Sequence, residues 1–278
     1  LEMKFLKNII IFILVIFLYS CNKSTDSLNA FFFDVNQGDS SFVSYKNISI
    51  LIDTGEEKYS HNVVDFLKSK KLKSIDYVIL SHDHSDHVSG FKNIIKNFKI
   101  KNIILPDVMR NETFNEIKLL TKNSNTKLHY IKSPKTLTLL DNFSLKFFNN
   151  FDEVPEEFND TSLVFKLSVN DFDILYTGDV EEYGQLKLMN NNLKSEVIKV
   201  PHHGAFNNDK NNVEKFLTKV SPLISVISVG NNSYGHPNKN TLSLLENLKS
   251  KILRTDEMGT IQIVCDFQNQ SLSIREIF

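Results

Sequence analysis

Two hydrophobic rhythms alternate along the chain. Short apolar or alternating runs at 31–35, 41–45 and 48–53 read as strands, parted by the turn signals Asn36-Gln37-Gly38-Asp39 and Lys46-Asn47. Val63, Val64, Phe66 and Leu67 then recur at helical spacing, with Lys68, Lys70 and Lys71 on the polar side. Residues 77–80 are continuously apolar, as in a buried parallel strand. A short helix at 91–98 and a strand at 103–105 continue the βαβα rhythm. The second half repeats the style, with strands at 128–131, 137–140, 144–148, 163–169, 172–176, 197–200 and 224–229. Its helices are expected at 181–189, 213–220 and 242–248. Two halves with strands inside and helices outside predict an α/β fold of two face-packed sheets flanked by helices.

The first residues follow a different pattern. Leu1 and Glu2 precede Met3 and are set aside. Lys4 and Lys7 lead into an apolar run at 9–19, too short for a membrane-spanning helix of about 20 residues. It suits the core of an export signal, so residues 3–21 are expected to be a signal peptide, with an uncleaved anchor as the alternative. Leu18-Tyr19-Ser20-Cys21 resembles the lipobox of bacterial lipoproteins, which implies lipidation at Cys21. The remainder is then exported and lipid-anchored at the bacterial cell membrane, on its extracytoplasmic side. Residues 22–29 are polar and aperiodic and read as a tether, and 30–278 as one domain.

Composition narrows this picture only a little. Lys+Arg is 32 against Asp+Glu 33, so no global basic excess points to nucleic acid. Cys21 and Cys265 cannot build a disulfide framework, and Cys265 sits in a strand-like run as a small hydrophobe. Lysines do gather locally: Lys68, Lys70, Lys71 and Lys73, then Lys92, Lys96, Lys99 and Lys101. They make either a phosphate-steering face or a set of solvated helix faces.

The chemistry concentrates directly after the apolar run at 77–80. Ser81-His82-Asp83-His84-Ser85-Asp86-His87 puts three imidazoles and two carboxylates into one short loop. Imidazole and carboxylate suit Zn(II), Mn(II) or Fe(II). A turn after a strand can aim His82 and His84 at one point and Asp86 and His87 at a second, about 3.5–4 Å away. H-x-H-x-D-H arises by chance in only about four of ten thousand such chains, which favours metal binding over a solvated loop.

H-x-H-x-D-H after an apolar strand, with Gly90 close behind, resembles the metallo-β-lactamase superfamily. Asp34-Val35-Asn36-Gln37-Gly38-Asp39-Ser40 is similar to the opening of the extracytoplasmic domain of ComEC/Rec2 DNA-uptake proteins. Leu51-Ile52-Asp53-Thr54-Gly55, Leu175-Tyr176-Thr177-Gly178-Asp179 and Val200-Pro201-His202-His203-Gly204 match further motifs of that branch. So do Asn232-Ser233-Tyr234-Gly235-His236-Pro237 and the run at 254–261. Surface phosphorylcholine esterases share the pattern. The resemblance runs from about Phe31 to the end and implies a four-layer αββα sandwich.

By this resemblance, His82, His84, Asp86, His87, Asp179 and His203 bind one or two Zn(II) ions, with Mn(II) left open. Asp179 bridges, and Asp53 orients histidines from behind. His202 faces the substrate, although the order of His202 and His203 stays open. His236 contacts a phosphate or donates a proton, with an ordinary surface turn histidine as the alternative, and Asp86 also serves the catalysis. Many superfamily members carry another histidine before the bridging aspartate. Here that position matches Asn159-Asp160-Thr161-Ser162, which leaves the first metal site one donor short and makes Asn159 a supporting residue. His129 alternates like an ordinary strand residue and reads as structural. The implied function is a metal-dependent hydrolase of phosphodiesters using a metal-bound hydroxide, with single-stranded DNA among its candidate substrates. The alternatives are a phosphocholine-type or other ester hydrolase, and a non-catalytic metal- or DNA-binding lipoprotein of an uptake apparatus. No obligate protein partner is implied.

Overall fold

The computed structural model describes residues 26–108, 112–151, 155–206 and 210–277. The signal peptide and Cys21 lie outside them. The first half runs β1 (Ser27–Phe32), β2 (Ser41–Tyr45), β3 (Ile48–Ile52), α1 (Ser60–Ser69), β4 (Ser74–Ile79), α2 (Ser85–Val88), α3 (Phe91–Asn97), β5 (Lys99–Pro106), α4 (Glu112–Thr121) and β6 (Lys127–Ile131). Then come β7 (Lys135–Leu140), β8 (Phe143–Phe147), β9 (Phe165–Val169), β10 (Phe172–Tyr176), α5 (Glu182–Leu188), β11 (Val197–Lys199), α6 (Lys210–Val220), β12 (Ile224–Ile227), α7 (Lys239–Asn247), β13 (Lys251–Arg254), α8 (Thr255–Met258), β14 (Thr260–Asp266) and β15 (Ser271–Ile277).

These strands form an eight-stranded sheet, β15-β14-β1-β2-β3-β4-β5-β6, and a seven-stranded sheet, β13-β12-β11-β10-β9-β8-β7. The expected four layers are present, and the core shows why. Phe32, Val43, Ile50 and Ile79 of the first sheet meet Leu145, Leu167 and Ile174 of the second in a central apolar layer. The opposite faces of the same strands point outward. Phe31, Leu51 and Val78 pack under Val63, Leu67, Phe91 and Ile94 of α1 and α3. Ile198 and Ile227 pack under Leu188, Phe216 and Leu245 of α5, α6 and α7. Period-two strands therefore bury both faces, which is why the central ones read as unbroken apolar runs.

Three features depart from the sequence reading. The domain starts before residue 30: Ser27–Asn29 pair with Asp266, Cys265 and Val264 of β14, so the tether ends sooner than expected. A helix, α4, fills the stretch between β5 and β6, where the periodicity was too weak to show one. The two halves also do not map onto two sheets, because β14 and β15 return to the first sheet beside β1.

Strands β3–β6 are mutually parallel, and so are β10–β13. Loops at their carboxyl ends collect at one end of the sandwich, where open α/β sheets bind ligands. Leu28 tests the revised start, because it is 1% exposed inside the central layer. Leu28→Ala should cost about 2–5 kcal/mol in urea unfolding. A change within about 0.5 kcal/mol, as at an ordinary surface position, would return residues 27–29 to a tether.

Candidate metal centre

The loop after β4 is pinned from below. Asp53, at the end of β3 with φ 53°, accepts Ser81 N–H (2.7 Å) and Ser81 Oγ–H (2.7 Å). The same carboxylate lies 2.8 Å from His87 Nδ1. That fixes the tautomer and aims Nε2 upward, the arrangement that supports metal-binding imidazoles. His84 is the extended residue before α2, and the single turn of α2 then presents Asp86 and His87. His82 and His84 approach to 3.1 Å between Nε2 and Nδ1, and the His82 and His87 rings are 4.2 Å apart.

The second sheet supplies the rest. Asp179 follows β10 through Gly178, whose φ is 51° and whose place leaves no room for a Cβ against Ser162 (2.8 Å). His203 follows β11, and His202 and His203 both take left-handed backbone, φ 46° and 52°. Non-glycine residues hold that conformation only where the surroundings enforce it, and such strain gathers at functional sites. His203 Nδ1 is tied to the Ser228 carbonyl at 2.8 Å. Its Nε2 lies 3.1 Å from Asp86 Oδ2 and 3.4 Å from Asp179 Oδ2. His87 Nε2 lies 3.1 Å from Asp179 Oδ2.

Asp86, His87, Asp179 and His203 each offer a donor atom, all within 4.8 Å of one another. His87 Nε2 is buried without a hydrogen bond. An unbonded imidazole nitrogen facing carboxylate oxygens is the donor chemistry a divalent cation needs, so these residues fit a metal. Asp39, Asp53 and His87 make a second grouping, but Lys199 is salt-bridged to Asp39 there.

Electrostatics follow from the crowding. Burial alone would lower His87, but Asp179 and Asp53 outweigh it and hold the imidazole well above its ordinary value. Burial likewise opposes charge on His203, yet Asp179 and Asp86 raise it to about 9. Burial would raise Asp179, and His87, His203 and Lys199 instead pull it well below the usual range. Burial, with His87 beside it, pushes His82 well down, leaving it neutral.

Above the cluster opens a cleft of about 750 Å³, lined by His84, Asp86, Asp179, His202, Tyr234 and His236. His202 Nδ1 sits 2.8 Å from Glu181 Oε1, which also accepts Asn159 Nδ2–H at 2.9 Å. Asn159 thus supports the His202 side. The His202 and His236 rings are 5.2 Å apart. Burial, with His202 and His203 nearby, lowers His236 to about 4.

The structure therefore gathers His82, His84, Asp86, His87, Asp179, His202, His203, His236, Asp53 and Asn159 at one end. His129 is elsewhere: its Nε2 pairs with Asn102 Oδ1 at 2.9 Å. The phosphate-steering reading fails for five of the lysines. Lys70, Lys71, Lys73, Lys99 and Lys101 cluster at the amino ends of β4 and β5, the length of a strand away. Sequence reasoning missed Lys199, Glu181 and Asp39. Lys199 is a buried lysine on β11, salt-bridged to Asp39 and 3.5 Å from Asp179 Oδ1. A lysine within the apolar run Val197–Val200 was the available signal.

A family model described as the metallo-beta-lactamase superfamily matches residues 33–230. The chain is 30% identical over 272 residues to ComE operon protein 3 of Bacillus subtilis (strain 168), covering 89% of this chain and 34% of that protein. It is 26% identical over 238 residues to Competence protein ComA of Neisseria gonorrhoeae, covering 82% and 31%. It thus spans about a third of the length of these curated relatives. Among solved structures it is similar to the metallo-beta-lactamase fold protein YhfI from Bacillus subtilis, with TM-score 0.57 and 12% identity over 85% of this chain and 100% of that one. That likeness shows the fold.

Two outcomes follow from the geometry. A metal entering at His203 and His87 must displace protons held, at His203, up to about pH 9. Apparent affinity should therefore fall about ten-fold per pH unit for each displaced proton as pH drops below that value. Calorimetry in buffers of different ionisation enthalpy should register proton release, and binding without it would contradict the assignment. Separately, Lys199→Met strands the buried Asp39 carboxylate and should cost about 3–5 kcal/mol of stability. Adding Asp39→Asn should restore most of it. Equal losses in the single and double variants would show that the pair is not coupled.

Proposed function

The chain belongs to the metallo-beta-lactamase superfamily, and from that premise we propose that it hydrolyses phosphodiester bonds of nucleic acid outside the cytoplasm. The fold and donor set are those of a metal-dependent hydrolase. The observation that carries the finer reading is an open cleft in which the four-donor cluster lies beside a His202–Glu181 pair. The competence proteins of Bacillus and Neisseria, similar to this chain over most of its length, favour nucleic acid over other esters.

Asp86, His87, Asp179 and His203 would hold one ion, and His82 and His84 with Asp179 a second. The second position is one imidazole short, because Asn159 is turned to Glu181. Nitrogen and oxygen donors without thiolate suit Zn(II) and leave Mn(II) open. The metal, when bound, supplies Lewis-acid charge and activates water. The chain's own side chains do the rest. Glu181 lies against His202 Nδ1, which leaves the other ring nitrogen to meet a phosphoryl or leaving oxygen. His236 is neutral at pH 7 and can accept a proton or hydrogen bond across the cleft. Asp53, through Ser81 and His87, keeps the loop after β4 in register.

No described helix is long and apolar enough to cross a membrane. Export and the lipid at Cys21 belong to this proposal and rest on the residue pattern at 4–21.

Single-stranded DNA, bis-p-nitrophenyl phosphate and p-nitrophenyl phosphocholine, each with Zn(II) and Mn(II), separate the readings. Single-stranded DNA and bis-p-nitrophenyl phosphate should both be cleaved. Cleavage of the phosphocholine ester alone would reassign the substrate, and no cleavage would leave a binding protein. Asp179→Ala should lose metal and several orders of magnitude in rate while keeping its circular dichroism. His202→Ala should keep its metal and lose about 10²–10⁴-fold in rate. An Asp179→Ala protein with two metals and wild-type turnover would overturn the scheme.

A further inference from the structure

The end of the sandwich opposite the cleft carries charge that the reaction does not use. β1 is antiparallel to β2 and β2 to β3, so β1 runs with β3 to β6. The chain enters the fold at the amino ends of these strands. Asp26 marks that entry, accepting the Tyr45 hydroxyl at 2.6 Å and lying 4.0 Å from Lys46 Nζ. Lys70, Lys71, Lys73, Lys99, Lys101 and Lys127 lie at the same end, along the starts of β4, β5 and β6, all exposed. The surface is continuous. A depression of about 490 Å³ lined by Lys46, Lys70 and Lys101 shares Ser74 and Lys101 with one of about 800 Å³ lined by Lys99 and Lys127.

Few acids offset this charge. Asp76 is taken by Lys101 at 2.7 Å, Asp26 faces Lys46, and Asp266, opposite Ser27 on β14, accepts Asn269 Nδ2–H at 2.8 Å. Among the described residues, Lys71, Lys73, Lys99 and Lys127 form no ion pair. The second sheet does not extend the patch: at the same end it mixes Lys194, Lys249 and Lys251 with Asp171, Asp173 and Glu196.

We propose that this basic end docks on an anionic lipid surface and holds the metal cleft facing away from it. The inference rests on the proposed lipid anchor at Cys21. Residues 22–25 can span at most roughly 15 Å, so a lipid at Cys21 would bring Asp26, and with it the end of the sheet that carries these lysines, close to the headgroups. Lysines near an anionic leaflet each add several-fold to binding, within a Debye length. A nucleic acid bound here is the poorer fit, because its phosphates would lie roughly 20 Å, one strand length, from the donor cluster.

The test is partition of the mature lipidated protein between vesicles of phosphatidylcholine alone and vesicles containing phosphatidylglycerol. The wild type should prefer the anionic vesicles by about ten-fold or more at low salt, and the preference should vanish at high salt. K71E/K73E/K99E/K127E should bring the ratio close to one, with metal content and circular dichroism unchanged. Should that variant misfold, K71Q/K73Q/K99Q/K127Q should reduce the ratio in the same direction. Binding to the neutral vesicles reports on the lipid at Cys21, so its failure is distinguishable from failure of the basic face. Equal partition of the wild type, or an undiminished preference in a folded variant, would overturn the proposal. So would loss of single-stranded DNA binding in the variant with its vesicle preference intact.

Discussion

Asp179 is a carboxylate 2% exposed at the meeting point of two sheets, and much of the site can be derived from the need to neutralise it. A buried charge without partners is costly, and a well-paired one is tolerated only with good geometry. Asp179 meets His87 from the first sheet and His203 and Lys199 from the second. Each partner is itself anchored: His87 by Asp53, His203 by the Ser228 carbonyl and Lys199 by Asp39 and the Gly178 carbonyl. The network therefore ties the carboxyl ends of β3, β4, β10, β11 and β12 together. A divalent cation fits among these groups because the protein already collects opposing charge there.

That demand also explains the local backbone. Asp53, Gly178, His202 and His203 all have positive φ at strand ends. Each turn redirects a side chain from the strand axis toward the shared centre. Gly38 serves the same end from the side, since a Cβ there would meet the Asp86 carbonyl at 2.5 Å. Its absence lets Asp39 N–H reach the Asp86 carbonyl at 3.1 Å and brings Asp39 to Lys199. Three apolar layers supply the rigidity that holds these strained turns in place.

The two ends of the sandwich differ in chemistry because the parallel strands give them different loops. Carboxyl-end loops carry donors from both sheets. The amino ends of the first sheet carry the chain entry and unpaired lysines. Reaction site and basic surface are thus separated by the strand length, and each can be altered without touching the other.

The residues themselves were enough for the layer architecture, for the donor-rich loop at 82–87, and for the motifs around Asp53, Asp179, His202–His203 and His236. Period-two apolar runs encode strands buried on both faces, and a dense run of imidazoles and carboxylates has little other use. Hydrophobic pattern is a local property, so it also gave most element positions. It missed α4, whose apolar stripe is thin, and the start of β1, because Ser27 and Asn29 look polar until β14 covers them. What only the tertiary structure decided was which local features share space. The return of β14 and β15 to the first sheet, the Glu181–His202–Asn159 contact and the Lys199–Asp39 pair join residues distant in the chain. The lysines are the plainest case. Lys70, Lys71, Lys73, Lys99 and Lys101 flank the metal motif in sequence, yet a strand carries them to the far end, because β4 and β5 begin where these lysines lie and finish at the site.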